Sequence, residues 1–442
     1  MKIQLSDHFT YRKLLGFTLP SIIMLIFTSI YGVVDGFFIS NFVGKTPFAA
    51  VNLIIPFLML LGAIGFMFGT GGSALIAKTM GEGKNSQAEE LFSMFVYVSA
   101  ACGILITILG FIFLRPVSAL LGAEGSMLDD CVLYGRIVLI TLPCYILQFE
   151  FQSFFVTAEK PRLGLIVTVA AGITNMVLDA LFVALFHWGL AGAAAATAFS
   201  QAVGGIMPLL YFGRPNTSLL RLRKTHFDGR SLLKACTNGS SELMSNISMS
   251  LVNMLYNVQL IKFSGEDGVA AYGVLMYVNL IFLSAFIGYS VGTAPVISYH
   301  YGAGNHPELK SLLKKSLSVI SVFSICMFGL AEVLARPLSV LFTGYDTALL
   351  GLTLRGFFIF SFSFLFSGFS IFGSSFFTAL NDGLTSALIS FLRTLVFQTA
   401  SVLILPVFFR IDGVWFSIVA AELSACIVTF LFLIGKRKKY QY

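Results

Sequence analysis

The sequence predicts an all-α polytopic membrane protein with twelve transmembrane helices in two parallel six-helix repeats. Three observations carry this. Of the 442 residues, 57% are hydrophobic and only 11% charged, and the mean hydropathy is +0.88; a water-soluble domain needs about 25% charged residues to cover its surface. Twelve apolar runs each reach the roughly 20 residues that a helix needs to cross about 30 Å of hydrocarbon, and none shows the strand-like alternation of a membrane barrel. Landmarks of the first half also return in the second at an offset of about 221 residues.

The first run, Leu14 to Ile39, follows the charged stretch from Asp7 to Lys13 and lacks a small-residue cleavage site, so it reads as a retained helix. It holds Pro20, Tyr31 and Asp35. The second, Phe48 to Ala77, contains GFMFGT and ends in the tight turn GEGKN. The third is Leu91 to Leu114. The fourth, Leu133 to Ala158, carries Pro143 and the polar triplet Gln148, Glu150 and Gln152. The fifth, Leu163 to Phe186, holds Asn175 and Asp179 one turn apart, and the sixth, Gly189 to Phe212, is rich in small residues around Thr197. A basic connection then leads to Leu232 to Phe263, with Glu242 in NGSSELMSN, and to Val269 to Tyr299, with Met276, Tyr277 and GYSVGT. The last four are Leu312 to Leu334, Leu352 to Leu380, Leu384 to Phe409 with Arg393, and Val414 to Ile434 with Glu422. The organisation follows: a first lobe over residues 1–213, a linker over 214–231, a second lobe over 232–435 and a basic tail over 436–442.

Five landmarks keep the repeat in register. GFMFGT at Gly65 matches GYSVGT at Gly288, Gly81 and Gly83 match Gly302 and Gly304, and LRPVSALL at Leu114 matches ARPLSVLF at Ala335; FFVTA at Phe154 matches FFTAL at Phe376, and Gly192 matches Gly413. With an even number of spans per half, the repeats are parallel about an axis along the membrane normal. Two such lobes can rock around a central cleft, which is the physical requirement for moving a solute without opening a pore. The GxxxG pairs Gly65/Gly69 and Gly288/Gly292 read as close-packing devices.

Lys and Arg place the ends. Twenty of the 28 fall on one side, among them Lys2, Arg12, Arg221 and Lys438; seven, including Lys45 and Arg355, fall on the other, and Arg393 lies inside a span. Both termini are therefore expected in the cytoplasm, with the protein multi-pass in the plasma (inner) membrane. The +7 charge thus marks topology and not nucleic-acid binding, since the bases sit between apolar runs. The six cysteines form no CxxC pair and read as packing thiols. Walker A, HExxH, GxSxG and zinc spacings are absent, so ATP-driven transport and hydrolytic chemistry are not expected, and neither is a cofactor or structural metal.

Ionisable groups at membrane depth cost about 2.5 to 3.5 kcal/mol on insertion scales and are functional candidates by default. They are Asp35, Glu150 and Asp179 in the first half, and Glu242, Arg393, Glu422 and Glu332 in the second. The scaffold repeats but these groups do not: Asp35 falls opposite Asn253 or Tyr256, Asp179 opposite Ala400, and Glu422 opposite Gln201. Asp35, Asn175, Asp179 and Thr197 together make an oxygen set suited to H⁺ or Na⁺, the chemistry of an ion antiport site. The alternative is that the two aspartates only tie helices together. Tyr31, Glu150, Glu242, Met276 and Tyr277 are candidate cavity residues for organic cations, and Pro20 and Pro143 candidate kinks. Arg393 is expected to pair with an acid or snorkel.

At this point the chain resembles the multidrug and toxic compound extrusion (MATE) transporters. The resemblance rests on the two six-span halves, on IYGVVDGFFISNFVG from Ile30, and on NMVLDALF from Asn175 followed by GLAGAAAAT ending at Thr197. It implies a V-shaped two-lobe fold and H⁺- or Na⁺-coupled export of organic cations or drugs by a monomer in the lipid bilayer. Its first-lobe cation site maps onto Asp35, Asn175, Asp179 and Thr197, with Tyr31 beside it. The tenth span lacks the acid that some members place there, which resembles the bacterial branch named for a DNA-damage-inducible protein. A flippase of lipid-linked precursors remains the alternative on the same fold, and a polytopic lipid-modifying enzyme the alternative of another class. Against the latter, the external acids Asp129, Asp130, Glu266 and Asp267 form no motif.

Overall fold

The computed structural model describes residues 3–344 and 346–442; Met1, Lys2 and Tyr345 lie outside the described residues, as do the side chains of Lys45, Ser250 and Glu266. Among the described residues every regular element is a helix. Twelve rods run α1 Tyr11–Val43, α2 Lys45–Gly81, α3 Asn85–Leu120, α4 Gly125–Ile140 with Leu142–Thr157, α5 Pro161–Leu185 and α6 Gly189–Gly213. The second half continues with α7 229–264, α8 Asp267–Gly302, α9 His306–Thr343, α10 Thr347–Ser361 with Phe364–Ala379, α11 383–409 and α12 411–435. The expected spans are all present, extended by a turn or two at most ends.

The backbone repeats more faithfully than the side chains. Gly44 and Gly265 both carry positive φ, at 124° and 60°, and end the first rod of each half. Glu159 and Asn381 pair at 59° and 58°, Gly83 and Gly304 at 79° and 66°, and Gly189 and Arg410 at 60° and 50°. Arg410 adopts a left-handed conformation that costs a non-glycine residue of order 1 kcal/mol, because the repeat requires a break there. The bends repeat too: α4 turns by 59° after Ile140 and α10 by 49° after Ser361. Pro143 sits at the first turn of the piece that follows the α4 bend. Pro20 lies inside α1, which continues as helix past it and turns π-helical at Ile39–Val43.

Helix starts in the second half are capped by short polar side chains. Asp228 accepts from the Arg230 and Ser231 amides, Asn305 from Glu308, Asp346 from Ala348 and Leu349, and Asp382 from Thr385.

The two halves meet through α1, α2, α7 and α8 near the face that carries both termini. Glycines make the approach possible: a Cβ at Gly71 would sit 2.0 Å from the Ala235 carbonyl oxygen, and one at Gly302 would sit 2.1 Å from that of Lys78. Gly239 presses on Met67 in the same α2–α7 pair, while Gly81 against Tyr299 is the two-fold counterpart of Gly302 against Lys78. Gly65 and Gly69 press on Ile146 and Glu150 of α4, whereas Gly288 and Gly292 press on Ile22 and Thr18 of α1. Both GxxxG pairs are therefore close-packing sites, but only the second joins the halves.

Polar contacts also join the halves. Ser29 Oγ and Ser284 Oγ lie 2.6 Å apart, and the Asn381 amide reaches the Ala74 carbonyl. The N-terminal segment crosses the seam: the Leu5 amide donates to Glu159 at 2.8 Å, the Phe9 amide to Glu308 at 2.9 Å, and Lys315 to the Phe9 carbonyl. Leu5 and Phe9 are fully buried in the core shared by both halves.

Candidate functional site

Asp35 lies late on α1, one turn beyond Tyr31, where the helix approaches its π turn. Asn175 and Asp179 share a face of α5, and a second π turn, Ala180–Leu185, begins at the residue after Asp179. Such turns widen a helix and re-aim its side chains, and they occur preferentially at functional positions. Small residues on α6, Ala193, Ala194 and Ala196, are buried around Thr197 and let that helix come close to α5.

These elements bring the sequence-predicted oxygens together. Asp35 faces Asp179 and Asn175, its nearest polar neighbours. Asn175 is 2% exposed and Asp179 fully buried. Asp35 Oδ1, Asn175 Oδ1, both Asp179 oxygens and Thr197 Oγ1 are buried without a hydrogen-bond partner. The four oxygens of Asp35, Asn175 and Asp179 are acceptors when the acids are ionised, and the Thr197 hydroxyl can accept as well as donate. The Lys and Arg ion pairs found among the described residues all lie elsewhere. Two carboxylates in apolar surroundings without a base must take up a proton, share one, or coordinate a cation. The donor set fits both H⁺ and Na⁺, a hard ion that prefers neutral and anionic oxygen.

Tyr134 was not anticipated. It is 2% exposed on the first piece of α4 and its hydroxyl faces Thr197, with Asp35 and Asp179 close by. Its only sequence signal is a lone tyrosine in an apolar run, which reads as packing. Tyr31 faces Gln148 and neighbours Tyr145, so a polar trail leads from Asp35 to the second piece of α4.

The remaining candidates are dispersed. Glu150 is fully buried inside the first half, with Ser99 and Cys102 of α3 as its polar neighbours, and so does not face an open cavity. Glu242 is partly buried on α7 in the field of Arg393. Arg393, on the π turn Leu392–Phe397 of α11, is paired: its Nε lies 2.9 and 3.1 Å from the Glu422 oxygens. Glu332 accepts from Ser361 at the α10 bend. Met276 packs at the edge of the apolar cluster around Tyr272 and Leu275, and Tyr277 stacks on Phe342 of α9. Neither lies with the acids.

The MatE family model matches residues 20–181 and again residues 243–403. The chain belongs to the MatE family. The two matches place one copy of the family unit on each half, in the register of the backbone breaks. Among characterised relatives, the multidrug export protein MepA of Staphylococcus aureus strain MSSA476 is 23% identical over 432 residues, 95% of this chain and 94% of that protein. MepA of Staphylococcus haemolyticus strain JCSC1435 is 25% identical over 319 residues, 72% and 70% of the two chains. A MATE protein crystallised in complex with MaL6 superposes with a TM-score of 0.93 at 21% identity over 98% of both chains. The outward-facing conformation of a multidrug resistance MATE family transporter gives 0.92 at 22% identity, over 98% of this chain and 97% of that one. The MatE chain described here therefore shares the fold of those transporters along its whole length, and it is a multi-pass membrane transporter and not an enzyme.

Proposed function

We propose that the chain is a secondary active exporter of organic cations and drugs, driven by entry of H⁺ or Na⁺ at Asp35, Asn175, Asp179 and Thr197. The observation that carries this is the group of five buried oxygens, three of them from two carboxylates, that have no hydrogen-bond partner among the described residues. A proton or Na⁺ taken up between Asp35 and Asp179 removes one of their two negative charges, and a cationic solute in the cleft competes for the same charge, so that loading one expels the other. The second half supports the asymmetry, because Glu422 already holds Arg393 as an internal counter-cation. That pairing also leaves, among the described residues, no unpaired base well inside a span for a pyrophosphate headgroup, which disfavours the flippase reading.

Residues 1–213 and 232–435 act as the two lobes, joined by the linker 214–231 and ending in the tail 436–442. The seam closes beside the termini, and the excess of Lys and Arg assigns that face to the cytoplasm, so the conformation is read as outward-facing in the plasma membrane. Glu242, Met276 and Tyr277 stay as secondary candidates for the solute path. The monomer is taken as the working unit.

Proteoliposomes with separately imposed pH and Na⁺ gradients, assayed for efflux of a fluorescent organic cation, test transport and ion choice together. Asp35→Asn keeps the shape of the side chain but cannot exchange charge, and it should abolish gradient-driven efflux while the protein stays folded in the membrane. Efflux at the wild-type rate in that variant would overturn the coupling assignment.

A further inference from the structure

A second group of orphaned polar atoms lies one helix away from the Asp35 set. On α4, Gln148 Nε2 and Oε1, Glu150 Oε1 and Oε2, and Gln152 Nε2 and Oε1 are all buried without partners, and Ser99 Oγ of α3 is orphaned beside them. Exposures are 3%, 0% and 4% along α4 and 0% at Ser99. An unpaired amide or hydroxyl in such a place costs roughly 1 to 3 kcal/mol, and an unpaired carboxylate far more. Six such atoms within two turns of one span, with a seventh on the helix beside it, exceed what helix packing explains.

The helix geometry divides them. Gln148 and Gln152 are one turn apart and look toward α5 and α6, around a cavity of about 10 Å³ that Thr168, Gly204 and Pro208 also line. That is room for about one water, which needs two to four polar partners and here has them. Glu150 points the other way, to Ser99 and Cys102 of α3. From α2 the neighbour is Gly69, whose Cβ would lie 3.0 Å from the Glu150 Cα, and across the seam Cys236 of α7 faces Cys102. The groups facing Glu150 are thus one hydroxyl, one thiol and backbone, and among the described residues its carboxyl forms no ion pair.

We propose that Glu150 is a second proton-binding site, separate from the Asp35 set, that holds one H⁺ while the seam is closed and releases it when the seam opens. Binding is a simple transfer: hydronium gives a proton to a carboxylate oxygen, an O–H bond forms, and that hydroxyl can donate to Ser99 Oγ. Release follows from position. Cys102, which flanks Glu150 on α3, has Cys236 of α7 as its neighbour across the seam, so parting the halves uncovers the α3 flank of Glu150 to water. The trail from Asp35 through Tyr31 to Gln148 ends on the opposite face of α4 from Glu150, which keeps the two proton stations separate. This goes beyond the coupling proposed at Asp35 and rests on the same transport reading.

Infrared difference spectroscopy of the full-length protein in lipid nanodiscs tests it without depending on transport. A protonated carboxyl band should remain in the Asp35→Asn/Asp179→Asn double variant, disappear when Glu150→Gln is added, and shift in frequency in Ser99→Ala. Gln matches the neutral acid in size, so folding should be kept. In proteoliposomes, Glu150→Gln should lower the number of protons moved per solute while solute affinity, read by fluorescence quenching, is unchanged. A band that Glu150→Gln does not alter, or a proton count equal to wild type, would overturn the assignment. Coupling that survives Asp35→Asn would instead count against the first-site reading and leave the infrared result standing.

Discussion

Arg393 shows how one residue decides which half of the molecule can exchange ions. Its Nε bonds both oxygens of Glu422, with only 14% and 6% of the two side chains exposed. Breaking such a pair from one side leaves a buried charge without a partner, at a cost of about 3 kcal/mol or more. Glu422→Gln should therefore lower the detergent unfolding temperature clearly, while Glu422→Gln with Arg393→Gln should recover most of the loss; equal destabilisation of the two would mean that the pair contributes only shape. Efflux should be milder in its loss for Glu422→Gln than for Asp179→Asn, since only the latter removes an unpaired acid. At this scale the sequence was readable where chemistry is rare. Asp35, Asn175, Asp179 and Thr197 stand out because charges and amides are costly in lipid. Tyr134 did not, because a tyrosine in an apolar run looks like any packing ring until the fold turns its hydroxyl toward Thr197.

Among the elements, the C-terminal tail is held more firmly than seven residues of mostly basic sequence would suggest. Asp382, in the turn between α10 and α11, accepts from Lys436 at 2.7 Å and from the Tyr440 hydroxyl at 2.7 Å, while Lys436 also bonds Thr385. Tyr440 and Tyr442 are buried, stacked at 6.4 Å, and Tyr442 packs edge-on against Phe376. Burial by itself raises the Asp382 pKa, but the bonds from Lys436, Tyr440 and Thr385 outweigh it and hold the carboxyl below its ordinary value. A carboxylate with a lowered pKa contributes stability above its unfolded value near 3.9, and that contribution is lost as pH falls through the folded value. The tail should stay docked at neutral pH and detach only in stronger acid than about pH 4. Asp382→Asn removes the anion at every pH, so trypsin should cut at Arg437, Lys438 or Lys439 much faster than in wild type at pH 7. Unchanged cleavage would show that the tyrosine packing alone retains the tail. No pattern in KRKKYQY predicts this docking, because the partner turn lies over fifty residues away. The α10 bend was equally silent, since it lacks the proline that marks its counterpart in α4.

For the molecule as a whole, the repeat was legible because glycines and turns that a backbone break or a close approach requires cannot drift, whereas the conformation was not, since one sequence must serve both open and closed seams. The structure identifies what favours closure beside the termini: backbone approaches at Gly71, Gly81, Gly239 and Gly302 that no other residue permits, and the strap from Leu5 to Phe9. Overpacking a tight contact typically costs 1 to 3 kcal/mol, and here the added atom would be 2.1 Å from the Lys78 carbonyl oxygen in the closed seam. Gly302→Ala should then act on the equilibrium between conformations and leave each lobe intact. A pair of probes is available where Ser29 and Ser284 face each other across the halves at 2.6 Å. In a background lacking the six native cysteines, Ser29→Cys with Ser284→Cys should form a disulfide readily under mild oxidant and arrest efflux, with reductant restoring it. Adding Gly302→Ala should slow that cross-linking by about tenfold, the factor that 1.4 kcal/mol of lost closure implies. Cross-linking at an unaltered rate would mean that the seam parts by a motion in which Gly302 and Lys78 stay together, and the hinge would then have to be placed within α1 and α7 instead of between α2 and α8.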